Sequence, residues 1–222
     1  MPKPRKSRGK AALAPRRART RLDTDERRAQ LLELAQAAFA NRSYDEVSID
    51  DLARAAGVSK GLLYHYFPTK RDLYIAGLRE AARQLMERTL ITSTDLTPIE
   101  RIRAGLDAYL DYATEHAHAY TALLRGGIGS DPEVAAVIED TRVAYVERML
   151  EGAEGSPLPM PAGRTPVLRL ALRGWVGFVE HTSLDWVVDP RGVSQRQLRD
   201  LLVDVMLSTF KIATGAPLTR DW

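Results

Sequence analysis

The sequence predicts an all-α protein of about nine helices. Helix-start signals recur along the chain, each a Ser, Thr or Asp whose side chain can accept hydrogen bonds from the free amides of the following turn. Convincing alternation of apolar and polar residues, which is typical of strands, is found nowhere. The 222 residues are 45% hydrophobic, enough to bury a core without disulfides. The sequence has no cysteine, which excludes disulfide frameworks, zinc–cysteine sites, iron–sulfur clusters and cysteine nucleophiles.

The first 22 residues are strongly basic. They hold nine of the 32 Lys and Arg side chains and no acid, so the remainder carries 23 basic against 29 acidic groups. The segment also has three prolines and too few apolar residues to bury a core. We therefore expect residues 1–22 to be a disordered arm that contacts nucleic acid, with a transit peptide or a remnant of cloning as the alternatives. Because no secretory signal or long apolar stretch is evident, we expect a cytoplasmic protein with no membrane partner.

The first four helices are predicted at residues 23–41, 48–56, 59–68 and 69–90, each beginning at a capping residue. These caps are Asp23, Ser48, Ser59 and Thr69. Later helices are predicted to begin at Thr97-Pro98, Asp131-Pro132, Thr165-Pro166 and Ser194. Proline suits a first turn because its missing amide would have no partner there. Glycine and proline predict breaks at residues 126–129 and 152–163.

Residues 48–70 read SIDDLARAAGVSKGLLYHYFPTK: a capped helix, a tight turn at Gly57-Val58 and a second short capped helix. This is the spacing of a helix-turn-helix, in which the second helix enters the major groove of DNA. Val58 and Leu63 can fill the junction between the two helices. The second helix carries side chains able to bind phosphate oxygens and base edges, namely Ser59, Lys60, Tyr64, His65 and Tyr66, with Lys70 just beyond it.

This segment resembles the TetR-type bacterial transcriptional repressors. The matching positions within residues 24–75 are Phe39, Ile49, Leu52, Ala53, Ala56, Gly57, Val58, Ser59, Gly61, Leu63, Tyr64, Tyr66, Phe67, Lys70 and Leu73. Ser48 replaces the usual threonine and keeps its capping hydroxyl, whereas His65 falls at a variable position. The resemblance implies that one set of side chains contacts phosphates: Ser48, Tyr64, Tyr66 and Lys70. It implies that another set approaches base edges: Ser59, Lys60, Gly61, Leu62 and His65.

Other roles are open for some of these residues. Leu62, Leu63 and Phe67 could belong to the core, Tyr64 could be partly buried, and Lys70 could be a solvated charge. The charge distribution favours DNA binding, because residues 1–72 have a net charge of +7 and residues 73–222 one of −4. The expected organisation is a basic arm at 1–22, a helix-turn-helix DNA-binding domain at 23–68 and a helical ligand-binding and dimerisation domain at 69–222.

The last two helices are predicted to form a homodimer. Residues 165–189 are apolar almost all the way round, so this helix needs two apolar neighbours, and the ninth helix has an apolar face too wide for one. Pairing with a second copy would form a four-helix bundle, although both helices could instead be central in a monomer. The predicted dimer contacts are Gly174, Gly177, Leu184, Leu198, Leu202, Val205, Met206 and Thr209.

Helices four to eight are expected to enclose a site for a small, mostly apolar effector, a feature that rests on the resemblance. Its expected lining is Tyr109, Tyr112, His116, Tyr120, Tyr145, Trp175, Phe178 and His181, and a plain core is the alternative for each of them. An effector that displaced the fourth helix would move the two recognition helices out of register with the DNA.

An enzyme and an effector-independent DNA-binding protein are the alternative classes of function. An enzyme is disfavoured because His116 and His118 point to different helix faces, and because the GGIG sequence at 126–129 lacks the strand and lysine of a phosphate loop. We therefore expect no catalytic residue, metal or cofactor. A DNA-binding protein without an effector would have the same helix-turn-helix and solidly packed helices five to seven.

Overall fold

The computed structural model describes residues 24–125, 130–154 and 166–215. They form nine helices and no strand: α1 (Thr24–Asn41), α2 (Ile49–Ala55), α3 (Lys60–Tyr66), α4 (Lys70–Thr89), α5 (Pro98–Glu115), α6 (Ala117–Arg125), α7 (Pro132–Glu154), α8 (Pro166–Val188) and α9 (Gln195–Thr214). The all-α prediction is confirmed within these residues. The predicted arm, the caps at residues 23 and 165 and the break at 126–129 lie outside them.

The expected capping residues begin the helices. Hydroxyl oxygens of Ser48, Ser59, Thr69, Thr97 and Ser194 accept hydrogen bonds from amides of the following turn. At the start of α5 and of α9, the side chain three residues on also bonds back to the amide of the cap, which completes a capping box.

Two helix boundaries differ from the prediction. His116 caps the end of α5 and Ala117 begins α6, so His116 and His118 do not share one helix, contrary to the expectation from the sequence. A break was expected from Gly152, but α7 continues through this glycine to Glu154. A glycine inside a helix costs only about 1 kcal/mol relative to alanine. Packing of the rest of α7, where Val146 and Leu150 are buried, outweighs that cost.

The described residues form two large apolar cores and a smaller buried cluster between α4 and α7, and α4 contributes to all three. The first lies among α1 to α4 and contains Leu31, Phe39, Leu52, Leu63 and Leu73. The second lies among α4, α5, α7, α8 and α9 and contains Leu85, Leu110, Leu150, Leu172 and Leu202. Because α4 spans the distance between them, a shift of this helix changes how the two cores are oriented.

The last two helices run antiparallel. The indole Nε1 of Trp175 donates to the carbonyl of Leu202 at 3.0 Å, and that of Trp186 donates to the carbonyl of Val193 at 2.7 Å. This register places Leu201 level with Gly177. Among the described helices, none combines the length and apolar character needed to cross a membrane.

Candidate DNA interface, ligand cavity and dimer surface

The helix-turn-helix is held by a small apolar junction. Gly57 forms the turn at φ +63°, a left-handed conformation that residues with a side chain rarely adopt. Leu63 is buried against the first core, and Val58 packs partly against it. Phe67 is buried at the end of α3. Val58 and Leu63 therefore fill the junction between α2 and α3 as predicted. One face of α3 packs on the first core, and the opposite face is exposed.

The free face of α3 carries most of the residues expected to meet DNA. Ser59, Lys60, Gly61, Leu62, Tyr64 and His65 are exposed, and Tyr66 is half-buried. Leu62 is 37% exposed, so its interpretation as a core residue is wrong, whereas Leu63 and Phe67 do belong to the core. A Cβ at Gly61 would meet only the Ser59 hydroxyl, at 4.0 Å, so the surface is clear for close approach.

The cations of this surface differ in their surroundings. The Lys60 ammonium bonds to Asp50 on α2 at 3.1 Å, and this hydrogen bond raises the pKa of Lys60. Lys70 instead lies 4.5 Å from the centre of the Tyr44 ring and donates to the carbonyl of Asp45 at 3.4 Å. Among the described residues, Lys60 is therefore paired with a carboxylate, whereas the contacts of Lys70 are a carbonyl oxygen and a ring face.

Ser48 has a structural role that is compatible with a DNA contact. Its hydroxyl oxygen accepts a hydrogen bond from the amide of Asp50 at 3.2 Å and so begins α2. Its hydroxyl proton remains available as a donor to a phosphate oxygen.

A mostly apolar cavity of about 690 Å³ runs through the helical body. Side chains from α1 and α4 to α9 line it, among them Leu106, Val137 and Val176. Its size lies within the range of small-molecule sites. At one end the lining includes Phe39 and Tyr44, so the cavity reaches the junction of the two cores.

The polar lining of the cavity includes neutral hydroxyls as well as charged side chains such as Arg148 and Glu180. The Tyr109 and Tyr120 hydroxyls are hydrogen-bonded to each other, and the Tyr145 hydroxyl is 2.8 Å from that of Thr89. Burial raises the pKa of Tyr109 and of Tyr120, and raises that of Tyr145 to about 12. These phenols stay protonated at neutral pH and can bind a ligand as hydrogen-bond donors or acceptors without charge.

The structure brings six of the eight predicted ligand residues to this cavity. They are Tyr109, Tyr112, His116, Tyr120, Tyr145 and Trp175. Phe178 and His181 are a correction: both are exposed on another face of α8 and do not line the cavity. Sequence reasoning missed Thr89 because nothing in a single helix turn indicates that its hydroxyl meets Tyr145, 56 positions later.

Comparison with known proteins supports this architecture. Residues 31–76 match the family described as "Bacterial regulatory proteins, tetR family". Residues 98–209, half of the chain, match "Tetracyclin repressor-like, C-terminal domain". The chain belongs to the TetR family of bacterial transcriptional regulators. The resemblance of residues 24–75 is thereby confirmed.

Three TetR-type proteins illustrate the similarity. FasR of Mycolicibacterium smegmatis, named as a transcriptional activator, is 34% identical over 59% of this chain and 60% of its own. KstR2 of Mycobacterium tuberculosis, named as a transcriptional repressor, is 32% identical over 54% of this chain and 58% of its own. The chain thus spans less than two thirds of either relative. A tetR-family regulator from Streptomyces coelicolor, solved by crystallography, covers 88% of this chain and 85% of its own at 31% identity, with a TM-score of 0.75.

In this TetR-family chain, α8 and α9 expose an apolar surface. On α8 it consists of Val167, Leu170, Gly174, Gly177 and Phe178, and on α9 it includes Leu201 and Ile212. Leu170 is 73% and Ile212 74% exposed. We call these seven residues the α8–α9 surface. A patch of this kind on neighbouring helices is typical of a protein interface.

The predicted dimer contacts divide into four groups. Gly174 and Gly177 lie on the α8–α9 surface, and Val205 and Thr209 are half-buried. Met206 lines the cavity instead. Leu184, Leu198 and Leu202 are a correction: they are buried in the subunit's own core, at 3%, 2% and 0% exposure, and cannot reach a second copy. For these three leucines the sequence pattern selected the inner faces of α8 and α9.

Proposed function

We propose that this TetR-family regulator binds a palindromic operator as a homodimer in the cytoplasm and is released by a small, mostly apolar effector. The observation that carries the DNA-binding role is the exposed face of α3. It combines a hydroxyl, a cation, a phenol and an imidazole around a glycine that leaves the surface clear. Such groups suit phosphate oxygens and base edges.

Operator selection tests this role. Fragments of the host genome are incubated with the full chain, and the bound fragments are sequenced. We expect an inverted repeat with half-sites about 34 Å apart or more, because each short recognition helix contacts only a few base pairs.

The roles of single side chains are separated by substitution. His65→Ala should lower affinity at particular base pairs and leave binding to unrelated duplexes unchanged, because an imidazole on the free face of α3 can reach base edges. His118→Ala is the matched control, since this histidine is also exposed but lies on α6. Equal attraction of the unsubstituted chain to every duplex would refute specific DNA binding.

The α8–α9 surface supports the dimer. An isologous contact through this surface would bury leucine and isoleucine side chains that otherwise face water. Two-fold symmetry would then present two copies of α3 on the same side of the molecule. Light scattering at micromolar concentration should give twice the mass of one chain, and a single-chain mass would refute the dimer.

The cavity supports the effector. Its walls include α4 residues such as Leu78 and Leu85, so a molecule lodged there pushes on the helix that joins the two cores. To release DNA, the effector must bind the displaced arrangement more tightly than the DNA-bound one. A coupling of about 1–3 kcal/mol would change operator affinity by about 5- to 150-fold.

Thermal melts against a panel of hydrophobic compounds test the effector role. A compound at 100 times its Kd stabilises a protein by about 2.7 kcal/mol, which corresponds to a Tm shift of several degrees. Compounds that shift the Tm are then tested for release of operator DNA. If several bind and none alters operator affinity in either direction, the chain is an effector-independent regulator. Because FasR is named as an activator and KstR2 as a repressor, both release and tightening count as a response.

A further inference from the structure

An ion cluster joins the start of α4 to the start of α7. The Arg71 guanidinium donates two hydrogen bonds to Asp131, from Nε at 2.7 Å and from Nη2 at 2.6 Å. Its Nη1 donates to Glu133 at 2.9 Å, and Arg79 donates to the other oxygen of Glu133 at 2.9 Å. A two-pronged Arg–carboxylate pair fixes orientation as well as distance, which a single charge contact does not. We call these four residues the Arg71 clamp.

On the α7 side, backbone amides hold the clamp residue Asp131 in place. Asp131 caps α7, because its Oδ1 accepts hydrogen bonds from the amides of Glu133 at 2.9 Å and Val134 at 3.3 Å. Bonding to Arg71, and in smaller part to these amides, lowers the pKa of Asp131 to about 2. The carboxylate that holds Arg71 is therefore charged and fixed by the first turn of the helix.

An apolar contact lies beside the clamp. Ile75 on α4 and Val134 and Val137 on α7 are buried together. The ion cluster and this contact constrain the same two helix ends, so the first turn of α4 cannot slide along α7 without breaking both.

The clamp lies close to the recognition helix along the chain. Arg71 follows Tyr66, the last residue of α3, by five positions. The intervening segment has little freedom: Phe67 is buried, and the Thr69 hydroxyl accepts the amide of Asp72 at 3.0 Å. The position of Arg71 is therefore transmitted to α3.

We propose that Arg71 is a positioning residue for DNA binding, which holds the recognition helix in register with α7 through Asp131 and Glu133. This inference rests on the proposed DNA-binding function. It makes α7 a second support of the recognition helix beside α4. Since Val137, Thr141 and Tyr145 of α7 also line the ligand cavity, the clamp links a wall of the cavity to α3.

The competing role for Arg71 is a direct phosphate contact, because it adjoins Lys70. The two roles predict opposite signs when a carboxylate is removed. Asp131→Asn keeps an oxygen that can cap α7 and deletes one negative charge near the DNA-binding surface. If Arg71 serves as a phosphate contact, this variant frees it and tightens DNA binding. If Arg71 positions α3, the variant loosens α4 and weakens operator binding.

Two measurements on the full chain test the proposal. The first is hydrogen exchange of the DNA-free protein. Asp131→Asn and Arg71→Gln should speed amide exchange in residues 60–75 by about fivefold or more, with exchange in α8 and α9 unchanged. The second is affinity for the selected operator and for a scrambled duplex of equal length. Asp131→Asn should weaken operator binding by about fivefold or more and leave scrambled-duplex binding equal or tighter.

Arg83→Gln is the matched control, because Arg83 is also on α4 but, within the part of the chain that the structure describes, its ion pairs are with Glu80 and Glu87 of the same helix. Glu133→Gln, which removes a clamp partner without touching the α7 cap, replaces Asp131→Asn if that variant does not fold. Unchanged exchange in residues 60–75, tighter operator binding by Asp131→Asn, or an equal effect of Arg83→Gln would overturn the proposal. If the unsubstituted chain binds no operator, the proposed function fails, and the exchange measurement still decides whether the clamp holds α3.

Discussion

The salt dependence of DNA binding gives a quantitative test of Lys70. In the free protein its ammonium lies against the Tyr44 ring and a backbone carbonyl, and among the described residues no carboxylate pairs with it. A phosphate that approaches Lys70 therefore meets an uncompensated charge. Lys70→Ala removes this charge and leaves the capping hydroxyl of Thr69 in place to begin α4.

The expected magnitude follows from counterion release. Each phosphate neutralised by a protein contributes about −0.9 to the slope of log K against log salt concentration. A dimer contributes two Lys70 side chains, so the substitution should reduce the steepness of that slope by about 1.8. Between 50 and 200 mM salt, the unsubstituted protein should then lose about 12-fold more affinity than the variant.

Fluorescence anisotropy with labelled duplexes measures this slope. The titrations are made at four salt concentrations, with the selected operator and with a scrambled duplex. Lys70→Ala should lower the affinity for both duplexes equally, because a phosphate contact carries no sequence information. Arg83→Ala is the matched control, since its charge lies on α4 among Glu80 and Glu87. A slope unchanged by Lys70→Ala, or a loss confined to one operator position, would refute the phosphate role.

Three further predictions concern the dimer, the cavity and the clamp. Leu170→Glu should raise the dimer dissociation constant by at least about 100-fold. The reason is that Leu170 of each protomer would no longer be buried in the interface, which costs about 1.5 kcal/mol or more per side chain. Light scattering measures the constant, and an unchanged value, or an equal effect of Ala136→Glu on the exposed side of α7, would contradict the prediction. Thr141→Trp places a large ring in the cavity and should abolish the Tm shift caused by the panel compounds, so a retained shift would place their site elsewhere. Asp131 has a pKa depressed from 3.8 to about 2 by Arg71, so its contribution to stability should be present above about pH 4 and lost as pH falls towards 2. Denaturant unfolding across that range should therefore depend less on pH in Asp131→Asn, and an identical pH dependence would contradict the pairing.

Helix starts and the recognition helix were predictable because their determinants are local. Ser59 bonds to the amide of Leu62 three residues away, and the pairs Thr97 with Glu100 and Ser194 with Gln197 have the same spacing. Such interactions depend on short stretches of chain and hold wherever the helix is placed. The exposed face of α3 was only partly predictable, because the burial of Leu63 and Phe67 and the exposure of Leu62 depend on packing against α1 and α4.

The cavity was only partly predictable. Tyr109, Tyr120 and Tyr145 were recognised as amphipathic side chains on inward faces, but the pattern could not distinguish a cavity from a packed core. Thr89 and the α1 end of the cavity were not anticipated, because they depend on how α4 crosses α1 and α7.

By itself the sequence determined the helical class, most of the helix starts, the helix-turn-helix and the family, because each depends on spacing within a few turns. Only the tertiary structure decided which apolar face of α9 is free. Leu198 and Leu202 pack inward while Leu201 and Ile212 face solvent, although all four are equally apolar. It also decided that Arg71 meets Asp131, 60 positions away. Burial and pairing at long range depend on the relative placement of helices, which the periodicity of one helix does not contain.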